Sequence, residues 1–188
     1  GLGPITKITD SDQLGTQLGT PNLDLQMLGG FEYSAGGNRI FLAATGFSQT
    51  PGQVGILSVE VSTGFARIIT QSTSINGLSD LTVMPDSTLI VARGDANGNN
   101  SVGTVTAPTG VWTQTISEAY LINRAPGQTS LTPKALAANN STGEIFLASE
   151  GANPANNELF RITSPGQINP GVTRQTHAAL AGTHFADI

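Results

Sequence analysis

Residues with the chemistry for nucleophilic catalysis are few in this sequence and stand near its carboxyl end. His177 and His184 flank the apolar run 178–181, and Asp187 follows His184 by three positions. A serine hydrolase needs serine, histidine and carboxylate in mutual contact, and no Gly-x-Ser-x-Gly turn occurs to present the serine. Cysteine is absent, which excludes thiolate catalysis, disulfides and cysteine-ligated metals. We therefore predict no catalytic residues and expect both histidines to face solvent.

A loop with alternating oxygen donors, residues 95–101, has the composition of a weak calcium site. Asp95, Asn97 and Asn99 stand at every second position, the spacing at which calcium loops place their first ligands. The EF-hand pattern is broken, because glycine stands fourth in the loop and Thr106 occupies the twelfth position, where that pattern has glutamate. The sequence predicts a turn between strands here, with no obligatory cofactor and with calcium as the alternative.

The elements that must position these residues repeat along the chain. Three segments each read as an apolar strand, a turn of small polar residues, a very apolar strand ending in alanine, and a loop with glycine. The second strands begin at Ile40, Leu89 and Ile145, roughly fifty residues apart, which is the size of a β-propeller blade. Two further strands complete each unit; they are predicted at 54–61 and 65–70, at 101–105 and 111–116, and at 158–163 and 172–176.

These repeats predict a single all-β domain over residues 1–188, a β-propeller of about three four-stranded blades. The blades are expected at about 24–74, 75–131 and 132–180, and a partial fourth blade would combine 181–188 with 1–23, where Ile5–Thr9 is the expected strand. A fragment of a larger ring is favoured over a reduced fourth blade or a half-ring that dimerises, because the last inner strand would need partners for its backbone. Six residues should be buried on second strands: Ile40, Leu42, Leu89, Val91, Ile145 and Leu147.

The segment 80–92, Asp-Leu-Thr-Val-Met-Pro-Asp-Ser-Thr-Leu-Ile-Val-Ala, resembles the opening of blades in NHL-type and gluconolactonase-like β-propellers. The resemblance extends in outline over residues 24–188 and is best for the two inner strands of each blade. It implies a divalent cation in the central channel, held by oxygen-bearing side chains of the inner strands. Because β-propellers perform many unrelated functions, the resemblance indicates the fold more strongly than the function.

Asp80 and Asp187 occupy equivalent inner-strand positions for such a metal site. The other repeats have Gly30 or Glu32, and Lys134 or Ala135, at the corresponding positions. Hard cations need several convergent oxygen ligands, so two acids out of four make a partial match, and a lysine there would repel the cation. The competing interpretation is that both aspartates accept hydrogen bonds from neighbouring strand amides and hold the blades in register.

Loops that follow the second strands should emerge on one face of the ring and could bind a ligand or a partner. Phe47, Arg93 and Glu150 are the residues in these loops with the chemistry of binding anchors. Trp112 stands on a predicted outer strand, and we expect it to pack between blades.

The composition excludes some classes of binding partner. The formal net charge is −5 and charged residues make up 11% of the chain, so no basic patch is available for nucleic acid. No apolar stretch approaches the length of a membrane span. The low lysine content and the abundance of Thr, Asn and Gly are typical of exported bacterial proteins. The chain begins at Gly1 without a signal peptide, as a mature or trimmed chain would.

Two function classes follow from these observations. The first is a non-catalytic exported or surface module, extracellular in a bacterium, that binds a protein or glycan or assembles with itself through its strands. The second is a divalent-metal-dependent lactonase-like or esterase-like hydrolase, in which a cation polarises the substrate carbonyl and activates water. The sequence favours the first class, because it contains no acid–base constellation.

Overall fold

The computed structural model describes residues 6–19, 26–34, 36–45, 54–71, 75–94, 98, 100–106, 109–152, 155 and 157–175. Within these residues twelve strands form three four-stranded sheets. Sheet 1 contains β1 (Gln26–Ser34), β2 (Arg39–Thr45), β3 (Gly55–Glu60) and β4 (Ala66–Gln71). Sheet 2 contains β5 (Leu78–Val83), β6 (Leu89–Arg93), β7 (Ser101–Thr106) and β8 (Val111–Ser117). Sheet 3 contains β9 (Leu131–Asn139), β10 (Glu144–Gly151), β11 (Glu158–Thr163) and β12 (Gly171–Arg174). Two short helices accompany them, α1 (Ser11–Leu18) and α2 (Glu118–Ile122).

Each sheet is an antiparallel meander whose strands follow one another in chain order. The hairpins between the first and second strands turn through residues with positive φ, namely Asn38, Ser87 and Gly143. In the second of these hairpins the carboxylate of Asp86 accepts a hydrogen bond from the amide of Thr88 at 2.9 Å, as turn aspartates commonly do. The predicted four-stranded units are therefore formed, and the all-β fold with three blades is confirmed.

The first strands of the three sheets lie side by side, and they carry most of the contacts between sheets. Matching positions in the sheets can be read from the pairing register. Phe31 is paired with Leu42, Leu81 with Val91, and Leu136 with Leu147. Two residues further along, the pairs are Tyr33 with Ile40, Val83 with Leu89, and Ala138 with Ile145. The three sheets thus repeat one arrangement of side chains.

Two apolar layers between the sheets form the core. Phe41, Ala43 and Ile56 of sheet 1 pack against sheet 2, whose contribution includes Leu81 and Val91. A second layer joins sheets 2 and 3, with members such as Ile90, Val102, Leu147 and Phe160. Each fully buried aliphatic or aromatic side chain stabilises the fold by about 1.5–3 kcal/mol relative to its exposed state. The six residues predicted on second strands all lie there; five are buried, and Ile40 is half-buried.

Helix α1, for which the sequence makes no prediction, covers part of the first sheet and follows the segment Ile5–Thr9, where the sequence predicts a strand. Residues 6–10 form no strand, and the helix begins after Asp10, whose carboxylate accepts a hydrogen bond from the amide of Gln13 at 2.8 Å. Leu14 and Leu18, one helical turn apart, pack on sheet 1. Gln17 fixes the helix to the sheet, because its side chain accepts a hydrogen bond from the amide of Ala66 at 2.5 Å. The expected strand at Ile5–Thr9 was wrong for its described part, 6–9, and the segment 11–18 of the predicted partial blade is helical. Residues 1–5, 20–23 and 181–188 of that blade lie outside the described residues.

Candidate functional site

Asp80, the predicted metal ligand, joins the first strands of sheets 2 and 3. Its Oδ1 accepts a hydrogen bond from the amide of Leu81 at 2.8 Å, and its Oδ2 accepts one from the amide of Leu136 at 2.6 Å. The neighbouring Ser79 hydroxyl donates to the carbonyl of Pro133 at 2.9 Å. The prediction that Asp80 accepts a hydrogen bond from the amide of a neighbouring strand is therefore confirmed.

Among the residues that the structure describes, those around Asp80 do not supply a set of cation ligands. Asp80 is paired with Ala92, and the residues paired at the matching alanines, Ala43 and Ala148, are Gly29 and Ala135. Both oxygens of Asp80 already accept hydrogen bonds from backbone amides. Over the part of the chain that the structure describes, no three His, Asp or Glu side chains come together as a metal-binding group. These donors do not fit the divalent cation implied by the resemblance.

Glu32 is the acidic residue of the first repeat that the sequence offers as an equivalent of Asp80. It stands on β1 and is half-buried against sheet 2. Burial raises the pKa of Glu32 above the ordinary value, and the negative charge of Asp80 adds to the shift, while the hydroxyl of Thr82 opposes it. The negative charge of Asp80 therefore disfavours ionisation of Glu32, as a like charge does in a partly desolvated place.

Two of the residues predicted as binding anchors are engaged by neighbouring side chains or backbone. Arg93 donates from Nε to the carbonyl of Asn76 at 3.0 Å, and its guanidinium lies 5.6 Å from the centroid of the Trp112 ring. Trp112 packs against the core between sheets 1 and 2, as the sequence predicts. Glu150 forms an ion pair with Lys134, with Oε2 and Nζ 3.1 Å apart. These contacts of Arg93 are with its own sheet and with the turn that precedes β5.

The remaining predicted site residues cannot be placed. Phe47, Asp95, Asn97, Asn99 and Asp187 all lie outside the described residues. The expectations for the calcium loop and for Phe47 stay predictions.

A buried network of charged residues that the sequence analysis did not predict connects β12, the outer strand of sheet 3, to β11. Glu158 is fully buried, and its two carboxylate oxygens accept hydrogen bonds from Arg174 Nε and a terminal guanidinium nitrogen, each at 2.6 Å. The Nε2 of Gln128 also donates to Glu158, at 2.7 Å. A bidentate pair with an extra donor compensates the desolvation of the carboxylate. This arrangement is structural, because the carboxylate is closed off from any ligand.

One face of sheet 1 contains two exposed aromatic residues and is the feature that offers a binding site. We call it the front face; its members alternate along the four strands and are Phe31, Tyr33, Ile40, Leu42, Leu57, Val59, Ala66 and Ile68. Helix α1 packs on this face, where Leu42, Leu57, Val59 and Ala66 are buried and Ile40 and Ile68 are half-buried. On β1, Phe31 is 63% exposed and Tyr33 is 52% exposed. Their matching residues Leu81 and Val83 are 0% and 4% exposed.

The sequence contains the signal for this surface. Phe31 and Tyr33 occupy the alternating positions of β1 that face away from sheet 2, and sheets 2 and 3 have apolar residues at the same positions. Alignment of the three repeats finds the positions, but the repeat pattern alone does not reveal that sheet 1 lacks a preceding sheet within the described chain.

Comparison with known proteins supports the fold at low sequence identity. No family model and no curated protein matches the sequence. A crystal structure of a nidogen/laminin complex is similar with a TM-score of 0.56 and 8% identity, covering 80% of this chain and 49% of that one. TolB from Acinetobacter baumannii is similar with a TM-score of 0.53 and 14% identity, covering 84% and 33%. An auxiliary nutrient binding protein from Bacteroides thetaiotaomicron gives a TM-score of 0.50 and 10% identity, covering 82% and 34%.

The present chain spans between one third and one half of the length of these structures. Neither described helix has the length or hydropathy needed to cross a membrane. The likenesses, at these identities, concern architecture alone. Taken with its three four-stranded sheets, they show that the chain has a β-propeller fold.

Proposed function

We propose that this chain is a non-catalytic β-propeller module that binds a protein partner through the front face of sheet 1. The observation that carries the proposal is the exposure of Phe31 and Tyr33 at positions where sheet 2 buries Leu81 and Val83. Two exposed aromatic rings on one face of a strand are typical of a contact surface, since aromatic residues dominate the energetics of protein interfaces.

The chemistry of the front face favours a protein over a glycan. Ile40 and Leu42 lie on β2 and are paired with Tyr33 and Phe31. The two aromatic rings therefore have aliphatic neighbours. A sugar needs hydrogen-bonding groups beside the ring on which it stacks, whereas an apolar protein surface needs aliphatic neighbours of this kind. The front face therefore fits a partner that buries apolar side chains.

The geometry does not favour the hydrolase that the gluconolactonase-like resemblance allows. Asp80, its candidate ligand, accepts two backbone hydrogen bonds, and the buried carboxylate of Glu158 is paired with Arg174. These acids serve the fold, so a cation would have to displace hydrogen bonds that join two sheets.

The same proposal includes an exported or surface location in a bacterium. Its support is the low content of charged residues and the likeness in fold to TolB and to a nutrient binding protein. Self-assembly and binding of a different protein both agree with this location.

Site-specific photo-crosslinking tests the proposed function. A photoreactive phenylalanine analogue replaces Tyr33 in one variant and Ile168, which is 71% exposed on the turn between β11 and β12, in a control. In native cells that express the chain, we expect a single defined adduct from position 33 and none at position 168. Equal labelling from the two positions, or none from position 33, would overturn the proposal.

A further inference from the structure

We propose that a cavity between sheets 2 and 3 binds a small ligand with an apolar body and a cationic ammonium group. The cavity lies between the β5–β6 hairpin, the β9–β10 turn and the loop 164–170, which joins β11 to β12. Its volume is about 410 Å³, within the range of small-molecule sites, about 300–1,000 Å³. Its lining residues belong to the second and third sheets and their turns, so the site is separate from the front face.

The loop 164–170 borders an open space, whereas the corresponding turn of sheet 2 packs closely on its neighbour. That shorter turn ends at Gly110, which approaches the carbonyl oxygen of Ile69 on β4 so closely that a Cβ atom would overlap with it. A Cβ atom at Gly166, which lines the cavity, would meet no atom within 4 Å. The longer loop of sheet 3 therefore leaves a cavity that the repeated architecture does not require.

Two sides of the cavity are tight turns that hydrogen bonds hold in place. In the β5–β6 hairpin the amide of Ser87 donates to the carbonyl of Met84 at 2.8 Å, and in the loop the amide of Gln167 donates to the carbonyl of Ser164 at 3.0 Å. Ser87 and Ser164 have φ of 68° and 54°, a left-handed conformation that costs free energy for a residue other than glycine. A ligand would meet walls that are already formed, which lowers the entropy cost of binding.

The buried residues that line the cavity form an apolar base. Met84 is 8% exposed and Ile90 is fully buried, and Pro165 is buried on the side of sheet 3. The flexible thioether of a methionine such as Met84 can adjust to apolar groups of different shape. The base of the cavity therefore suits an alkyl chain or an aromatic ring.

The exposed edge of the cavity supplies a carboxylate. Asp86 is the charged residue among those that line the cavity, and its Oδ1 accepts a hydrogen bond from the amide of Thr88 at 2.9 Å. Within the described part of the chain no basic side chain forms an ion pair with Asp86. Thr88 and Gln167 also line the cavity and have oxygen acceptors for the other protons of an ammonium group. This carboxylate and the net charge of −5 attract a cation and repel an anion.

Nuclear magnetic resonance of the methionine methyl groups tests the proposal. The chain has two methionines; Met84 lines the cavity, whereas Met27 lies on β1 of sheet 1 and is the internal control. The probes are phenylbutylammonium, phenylbutanol and phenylbutyrate, which are similar in size and differ in charge. We expect phenylbutylammonium to shift the Met84 signal saturably, with a dissociation constant of roughly 1 mM, and to leave the Met27 signal in place. The alcohol should bind about fivefold more weakly, and the carboxylate more weakly still.

Asp86→Asn tests the role of the carboxylate. Asparagine removes the charge but keeps an oxygen that can accept the hydrogen bond from the amide of Thr88. This variant should bind phenylbutylammonium only as tightly as the alcohol, while its affinity for the alcohol should stay unchanged. The matched control is Asp12→Asn, which makes the same change of charge on helix α1 and should leave the binding of all three probes unchanged. Far-ultraviolet circular dichroism and thermal unfolding establish that each variant is folded.

Several outcomes would overturn the proposal. A Met84 signal that no probe shifts saturably would mean that the cavity takes no ligand of this kind. An alcohol or a carboxylate that binds as tightly as the ammonium would refute the cationic group, and so would an affinity for the ammonium that Asp86→Asn leaves unchanged. Crosslinking from position 33 tests the front face separately, so the failure of this proposal and the failure of the proposed function are distinguishable.

Discussion

The carboxylate of Asp80 in sheet 2 accepts a hydrogen bond from the backbone amide of Leu136 in sheet 3, with Oδ2 and N 2.6 Å apart. The contact crosses between two first strands that share no backbone ladder. It gives the amide of Leu136 a side-chain acceptor from another sheet, and it joins the two sheets at this point. Asp80, which the sequence alone suggests as a metal ligand, therefore connects two blades.

Asp80→Ala should destabilise the protein by about 2 kcal/mol, because the amides of Leu81 and Leu136 lose their acceptor. Asp80→Asn should cost less, since its carbonyl oxygen can still accept one of the two hydrogen bonds. Urea unfolding measures both variants. Calcium should leave the midpoint of the unmodified chain in place; a calcium-dependent rise that Asp80→Ala abolishes would favour the metal site.

The blades could be predicted from the sequence because their signals are local. Strand alternation, polar turns and the spacing of Ile40, Leu89 and Ile145 each follow from short-range patterns. Helix α1 could not be predicted in this way. Its two apolar residues, Leu14 and Leu18, are few, and the preceding segment alternates as a strand would. The helix depends on packing against sheet 1, which only the folded chain provides.

Glu32→Gln should raise stability at neutral pH. The raised pKa means that the folded protein binds more protons than the unfolded chain between the ordinary pKa of glutamate and the raised one. The free energy of unfolding therefore falls as pH increases through that window. Glutamine removes this penalty, so the gain should be present at neutral pH and vanish below the ordinary pKa.

Thermal unfolding across pH measures the effect of Glu32→Gln. Glu60→Gln on the same sheet is the control, and it removes a carboxylate that accepts a hydrogen bond from Thr63. A stability difference for Glu32→Gln that is the same at acidic and neutral pH would contradict the assigned cause.

Arg174→Ala should destabilise the protein by about 3 kcal/mol, because it leaves the buried carboxylate of Glu158 without its guanidinium. Adding Glu158→Gln to Arg174→Ala should recover part of the loss, since no charge is then buried. Arg161→Ala is the matched control, as it breaks the more exposed pair with Glu144, and it should cost at most about 1 kcal/mol. Denaturant unfolding of the four proteins forms the test, and equal losses for Arg174→Ala and Arg161→Ala would contradict it.

The site residues were harder to predict than the fold, because their roles depend on contacts between residues that are distant in the sequence. Arg93 follows an apolar strand and resembles a loop cation in the sequence, yet it lies against the ring of Trp112, nineteen positions away. Exposure of Phe31 also depends on which sheet has a neighbour, and a repeat pattern carries no such information. The buried pair of Glu158 and Arg174 joins adjacent strands, but the sequence does not distinguish it from two solvent-exposed charges.

Gly30→Ala should destabilise the contact between β1 and β5 more than a strained backbone alone would. Gly30 has φ of 70°, and a Cβ atom there would lie 2.6 Å from the backbone nitrogen of Leu81, which cannot move aside without shifting a core strand. Gly143→Ala is the matched control, with φ of 71° and no atom closer to the new Cβ than Met84 Cε at 4.0 Å. We expect about 1 kcal/mol for the control, from the positive φ, and at least about 2 kcal/mol for Gly30→Ala. Urea unfolding distinguishes them, and equal losses would mean that sheets 1 and 2 can separate locally to admit the methyl group.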